Sequence, residues 1–213
     1  MGCFYHFSGL LVRMLFLLLT RRQVRGRENI LGEGSVLIVS NHISLVDIPL
    51  LGISFGRKVI FMAKKELFRF RFLNYFMRIL ASFPVHRGRL DREALRQSLQ
   101  VLADGMALVI FPEGTRSNSA RLRPAFSGSA LVALRSGVPV LPVGIAGTEK
   151  FKGVGGMLRR PQVTVNIGRP FYLPSINSRP TKVELAKLSD FIMRRIAELL
   201  PPEYRGHYAR EVD

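Results

Sequence analysis

Val36-Leu37-Ile38-Val39-Ser40-Asn41-His42-Ile43-Ser44-Leu45-Val46-Asp47 joins a short apolar, β-branched run to a polar turn. The run has the pattern of a buried strand. Pro49 argues that a following helix begins near Asp47, because a proline deeper than the first turn loses a hydrogen bond and clashes. The stretch is then strand, turn and helix, the unit from which layered α/β folds are built. His42 and Asp47 stand five positions apart. On a regular helix such positions diverge by about 140°, so only the turn lets the two side chains meet. A histidine oriented by a carboxylate takes a proton from a hydroxyl near neutral pH, while the carboxylate sets the tautomer and stabilises the imidazolium. A second reading also stands: Ser44 caps the helix, Asp47 reaches back to the Ser44 amide, and the carboxylate serves the helix end alone. No G-x-S-x-G elbow occurs, and the single cysteine, Cys3, lies in an apolar N-terminal segment. The hydroxyl that His42 would activate is therefore expected on the substrate.

Further apolar runs at Val59 to Met62, Ala107 to Phe111, Val138 to Val143 and Val163 to Ile167 predict strands. Between them, Phe72 to Ser82, Arg92 to Ala103 and Gly128 to Ser136 carry apolar residues at helical spacing. This alternation predicts an α/β fold, a single layered domain with a central mostly parallel or mixed sheet flanked by helices. Thr181 to Leu200 predicts an amphipathic helix stopped by Pro201-Pro202, with residues 201–213 a loose tail. At 213 residues and 47% hydrophobic, the chain can bury one sizeable core and has no room for a second ordinary domain. The expected organisation is an N-terminal segment 1–27, a domain 28–200 and the tail. A lone cysteine excludes an internal disulfide. His6, His86 and His207 are isolated in sequence, and no metal-ligand cluster is expected.

Three more segments place charge where turns alone do not require it. Ala107 to Phe111 runs into Pro112-Glu113-Gly114-Thr115-Arg116-Ser117, where a turn explains the Pro and Gly but not the Glu and Arg. Ser82-Phe83-Pro84-Val85-His86-Arg87-Gly88-Arg89 sets arginines around a glycine. Val138-Pro139-Val140-Leu141-Pro142-Val143-Gly144 is an apolar strand interrupted by prolines. In order along the chain, these blocks resemble those of the 1-acyl-sn-glycerol-3-phosphate acyltransferase family, the lysophosphatidic acid acyltransferases. The resemblance covers residues 30 to 175, with N-H-x-x-x-x-D at Asn41 to Asp47, the arginine block at Phe83 to Arg89, F-P-E-G-T-R at Phe111 to Arg116, and the proline-containing strand. That family often carries an acid just before the block-two arginine, where this chain has His86.

The resemblance implies that His42 is the general base and Asp47 its orienting partner, with direct acyl transfer and no acyl-enzyme. It also implies that Arg87, Glu113, Gly114 and Arg116, with Thr115 in the same block, hold the glycerol-phosphate part of the acceptor. Guanidinium groups grip phosphate oxygens bidentately, and a glycine lets the backbone approach. Glu113 is expected to brace Arg116 or the substrate glycerol. Lys64, in Ala63-Lys64-Lys65-Glu66-Leu67, matches a family segment. It is either a phosphate ligand or part of a solvated helix face. The implied reaction moves a fatty acyl group from a thioester onto lysophosphatidic acid, giving phosphatidic acid. It calls for no metal and no bound cofactor, the thioester being a cosubstrate, either acyl-CoA or acyl carrier protein. Related enzymes with these blocks acylate glycerol-3-phosphate, lysophospholipids or lyso-ornithine lipids.

A net charge of +17, from 32 Lys and Arg against 15 Asp and Glu, implies an anionic partner. Nucleic acid and an anionic membrane surface both qualify. The membrane is preferred, because the basic segment Arg21 to Arg27 directly follows the apolar stretch Phe4 to Thr20. Its uninterrupted core, Met14 to Leu19, is far shorter than the roughly 18 residues that span a bilayer, and Arg13 breaks the longer window. An interfacial helix on the cytoplasmic face is expected, with Arg21 to Arg27 among headgroups; the alternative is a helix packed on the domain. A non-catalytic basic protein would account for the charge but not for the N-H-x-x-x-x-D and E-G-T-R blocks.

Overall fold

All of Val36–Ser40 is buried, so this strand is covered on both faces and lies inside its sheet. The computed structural model describes residues 14, 18–69, 82–85, 91–151, 159–174 and 180–211. Seven strands form one sheet: β1 (Arg21–Arg25), β2 (Val36–Ser40), β3 (Val59–Lys64), β4 (Ser82–Val85), β5 (Ala107–Ile110), β6 (Val140–Ala146) and β7 (Gln162–Ile167). Their order is β1-β7-β6-β2-β5-β3-β4, with β6 and β7 antiparallel and every other neighbouring pair parallel. The helices are α1 (Asp47–Ser54), α2 (Arg92–Ala103), α3 (Gly128–Ser136) and α4 (Lys182–Ala197).

Alternate residues of a strand point to opposite faces, and β2 divides its side chains accordingly. Leu37 and Val39 pack with Leu102 of α2, Ala130 of α3, and Ile192 and Ile196 of α4. Val36 and Ile38 join Leu50 and Leu51 of α1 and Phe55 on the other side. The helix limits have local causes. Helix α1 starts at Asp47, where Pro49 sits within its first turn. Asp91 caps α2 by accepting from the Glu93 and Ala94 amides, and Thr181 with Glu184 forms a capping box on α4. Helix α3 stops at Gly137, whose φ of 64° suits a residue without a Cβ.

The expected α/β sheet and the bounds of α2 and α3 are observed. Three expectations change. Arg21–Arg25, expected among headgroups, forms β1 and pairs with β7, so the layered domain begins before residue 28. As an edge strand it exposes alternate polar residues, Arg21, Gln23 and Arg25, and its sequence shows no apolar face. Ser82–Val85 is strand β4, not a helix end, and residues 72–81 of the expected helix lie outside those described. Finally, the C-terminal segment is not a loose tail. It makes 3-10 turns at Pro202–Tyr204 and Gly206–Glu211, and Tyr208 is buried with its hydroxyl donating to Asp190 Oδ1 at 3.1 Å. One aromatic side chain docked against α4 gives this segment its fixed path. The expected N-terminal interfacial helix falls mostly on residues 1–13 and 15–17, outside those described. Among the described residues, no helix is long and apolar enough to cross a membrane.

Candidate active site

Strands β2, β5, β3 and β4 run parallel, so their carboxyl ends share one edge of the sheet. Such edges are where open α/β sheets gather their ligand sites. The N-H-x-x-x-x-D block follows β2, the F-P-E-G-T-R block follows β5, and the arginine block follows β4. Lys64 is the last residue of β3, in register with Val85 of β4. A strand end replaces the helix face considered for it. Arg87 lies outside the described residues.

Asn41 fixes where the turn after β2 begins. Its side-chain Nδ2 donates to Ile145 O and its Oδ1 accepts from Ile145 N, both at 2.8 Å, so a buried amide extends the β2–β6 pairing by one step. The next residue is His42, 3% exposed. Its Nδ1 lies 2.8 Å from Asp47 Oδ2. That same oxygen accepts from the Ile43 and Ser44 amides at 2.7 and 2.8 Å. Orienting the histidine and closing the turn before α1 are therefore done by one carboxylate, which is itself fully buried. The helix-end contact to Ser44 is present, but Val46, not Ser44, occupies the position before α1, with no side-chain cap. With Nδ1 engaged, Nε2 is the nitrogen left to meet a substrate hydroxyl.

The F-P-E-G-T-R block supports His42 from the other side. Phe111 stacks on its ring with centroids 4.0 Å apart and planes 16° from parallel. Glu113 Oε1 accepts from the His42 amide at 3.1 Å, and Ser117 N donates to the His42 carbonyl at 2.8 Å. Both backbone groups of His42 are thus held by one loop. The second oxygen of Glu113 accepts from the Arg123 amide at 3.1 Å. Glu113 is buried and its two oxygens hold backbone amides, in place of the expected brace to Arg116. Burial pushes its carboxyl up to about 7, against the two amide donors and the nearby Arg123, which act to lower it. Gly114 adopts φ 66°, closing a turn in which its amide donates to Phe111 O; an added Cβ would also approach the Phe126 ring to 2.9 Å. Thr115 is half-buried and Arg116 is exposed.

The loop leaving this block is held by the C-terminal turns. Leu122 N donates to Tyr204 O at 2.9 Å, and His207 N donates to Leu122 O at 3.2 Å. A connection therefore runs from the Tyr204 main chain through those of Leu122 and Arg123 to the Glu113 carboxylate, and on to the His42 amide. Nothing in the sequence marks Tyr204, Leu122 or Arg123 for this role, since each contributes only main-chain atoms to it.

Beside His42 opens a cavity of about 330 Å³. Met62, Val85, Leu95, Ile110, Leu131 and Val132 supply much of its wall, with Phe111 and Gly114 near the histidine. A largely apolar cavity beside a buried His–Asp pair suits a hydrocarbon chain whose reactive end meets a base.

Residues 21–146 match the sequence profile of the Acyltransferase family, and the chain belongs to that family. Among that family's members it is similar to proteins named 1-acyl-sn-glycerol-3-phosphate acyltransferase. It is 26% identical over 196 residues to the 1-acyl-sn-glycerol-3-phosphate acyltransferase of Bacillus subtilis, covering 92% of this chain and 96% of that protein. Identity to the chloroplastic enzyme of that name from Brassica napus, BAT2, is 32% over 157 residues, 71% of this chain but only 45% of that protein. The crystal structure of the 1-acyl-sn-glycerophosphate (LPA) acyltransferase PlsC from Thermotoga maritima matches with a TM-score of 0.66 at 29% identity, covering 93% of this chain and 88% of that one.

Proposed function

We propose that this chain transfers a fatty acyl group from an acyl thioester to the free hydroxyl of lysophosphatidic acid, giving phosphatidic acid. The observation that carries this reading is the buried His42–Asp47 contact of 2.8 Å opening on an apolar cavity. His42 Nε2 takes the proton of the acceptor hydroxyl as it attacks the thioester carbonyl, and Asp47 stabilises the imidazolium. When the adduct collapses, the same proton goes to the departing thiolate, so no acyl-enzyme is needed. Exposed Arg116, together with Arg87 and Lys64, supplies cations for the acceptor phosphate, and Gly114 and Thr115 belong to the same block as Arg116. The relatives' names favour lysophosphatidic acid as acceptor. Acyl-CoA or acyl carrier protein serves as donor, with no bound cofactor or metal. The apolar stretch Phe4 to Thr20 and the net charge of +17 favour an anionic membrane surface on the cytoplasmic face as the partner, and not nucleic acid.

A panel of lysophosphatidic acid, choline-capped lysolipid, lyso-ornithine lipid and glycerol-3-phosphate, each offered with acyl-CoA and with acyl carrier protein, tests this by product mass. Phosphatidic acid should dominate. Arg116→Ala and Arg87→Ala should each raise KM for lysophosphatidic acid by about 10-fold or more, the worth of a charged hydrogen bond. Greater turnover of another acceptor would overturn the choice of substrate, and thioester consumption without any lysolipid product would overturn the transfer.

A further inference from the structure

The cavity beside His42 is not wholly apolar. Ser127, Gly128 and Ser129 also line it, and they form the start of helix α3. Ser129 is 2% exposed, and among the described residues its Oγ has no hydrogen-bond partner. Ser98, the other buried serine on the wall, differs: its hydroxyl donates to its own helix at Ala94 O, 2.6 Å away. The Ser127 side chain does not cap α3. The first-turn amides of a helix have no partner within the helix, and the aligned peptide dipoles add a partial positive charge there. Ser129, whose buried hydroxyl has no partner among the described residues, and the uncapped start of α3 thus line the same cavity as His42.

A buried hydroxyl without a partner weakens a fold, because its water contacts are lost and nothing replaces them. Ser129 therefore makes no evident contribution to stability as the protein stands. An acyl thioester seated in this cavity brings one polar atom, its carbonyl oxygen, to the wall that Ser129 lines. We propose that Ser129 Oγ, with the first-turn amides of α3, binds the carbonyl oxygen of the acyl thioester and holds the oxyanion that forms on it.

This rests on the acyl-transfer reading above. As the acceptor oxygen bonds to the carbonyl carbon, its proton passes to His42 and the carbonyl π pair moves to oxygen. That oxygen accepts from Ser129 Oγ–H and the α3 amides. The pair then returns, the carbonyl re-forms, the carbon–sulfur bond breaks, and the thiolate leaves with the proton from His42. Donors placed in advance on the developing charge lower the barrier more than they tighten ground-state binding.

Ser129→Ala in the full chain, assayed with lysophosphatidic acid and acyl-CoA, should lower kcat on the order of 10²-fold, the size seen for loss of one oxyanion donor. KM for lysophosphatidic acid should change little, and the loss should be equal for phosphate-bearing and choline-capped acceptors. Ser129→Thr should recover part of the rate. The melting temperature of Ser129→Ala should be unchanged or higher, since the variant removes an unsatisfied buried group. Loss of rate with loss of stability that tracks it would mean a structural role and overturn the proposal. So would unchanged kcat, an effect confined to KM for the phosphate-bearing acceptor, or an effect confined to hydroxylated acyl donors. Absence of acyl transfer by the unsubstituted protein would instead overturn the reading on which this rests.

Discussion

The Glu113 carboxylate accepts a hydrogen bond from the His42 amide at 3.1 Å across 71 positions of sequence. With the Ser117 amide on the His42 carbonyl, it holds His42 by its main chain, not by its ring. Glu113→Gln retains one acceptor oxygen in place of two and turns an NH2 toward an amide donor, so one of the His42 and Arg123 amides loses its partner. A loss of stability on the order of 1–3 kcal/mol is expected from the unsatisfied group, with a lower kcat in the folded fraction. Turnover normalised to folded protein decides it; an unchanged kcat would remove Glu113 from the positioning of His42.

Glu113 also sets a pH dependence. Its folded value of about 7 lies above the ordinary carboxylate value of 4.5, so the native state binds the proton more tightly than the unfolded chain. Its contribution is fully present below pH 4.5 and is lost as pH rises through about 7. The size is on the order of 3 kcal/mol. Urea unfolding of the natural protein and Glu113→Gln at several pH values isolates this term. The stability difference should move against the natural protein between pH 4.5 and 7.5, and a flat difference would refute the raised carboxyl.

His42→Ala should reduce turnover by about 10²–10⁴-fold, the usual worth of a positioned general base, while lysolipid binding persists. Asp47→Asn should cost both rate and stability, because Asp47 Oδ2 serves His42 Nδ1 and two backbone amides at once. Chemical denaturation alongside kcat measures the two losses separately. If stability falls while kcat in the folded fraction holds, Asp47 closes the turn and does not serve the base.

Asn41→Leu should destabilise the fold by about 1–3 kcal/mol for each of the two Ile145 groups it leaves unpaired. Hydrogen exchange should quicken at the Ile145 amide more than at Leu37, deep in β2. Protection unchanged at Ile145 would show that the side-chain bridge is not what pins the turn.

The C-terminal turns should matter to catalysis despite their distance in sequence from His42. Tyr208→Ala removes a buried aromatic ring and is expected to cost about 3–5 kcal/mol. Gly206→Val is the finer probe, because a Cβ there would lie 2.4 Å from Leu122 O, in the loop that leads to Glu113. A drop in kcat larger than the drop in folded fraction is expected. Equal drops would confine the segment to stability.

Some of this protein was set by short-range sequence. The apolar run Val36 to Val39, Pro49 two residues inside α1, and the helical spacing from Arg92 to Ala103 each act over a few residues, so the strand, the start of α1 and the extent of α2 could be read directly. The two specific blocks named the residue types that acid–base and phosphate chemistry require. Tertiary structure decided which atoms those residues use. Parallel pairing brings the ends of β2 and β5 together, so that Glu113 meets the His42 amide and not Arg116. The same pairing pattern takes in Arg21–Arg25, whose charged edge carries no apolar period, and the fold seats Tyr208 against α4. The physical reason is common to all of these. Periodicity and turn chemistry are local properties, whereas the partner of a buried polar group is set by whatever distant segment burial brings against it.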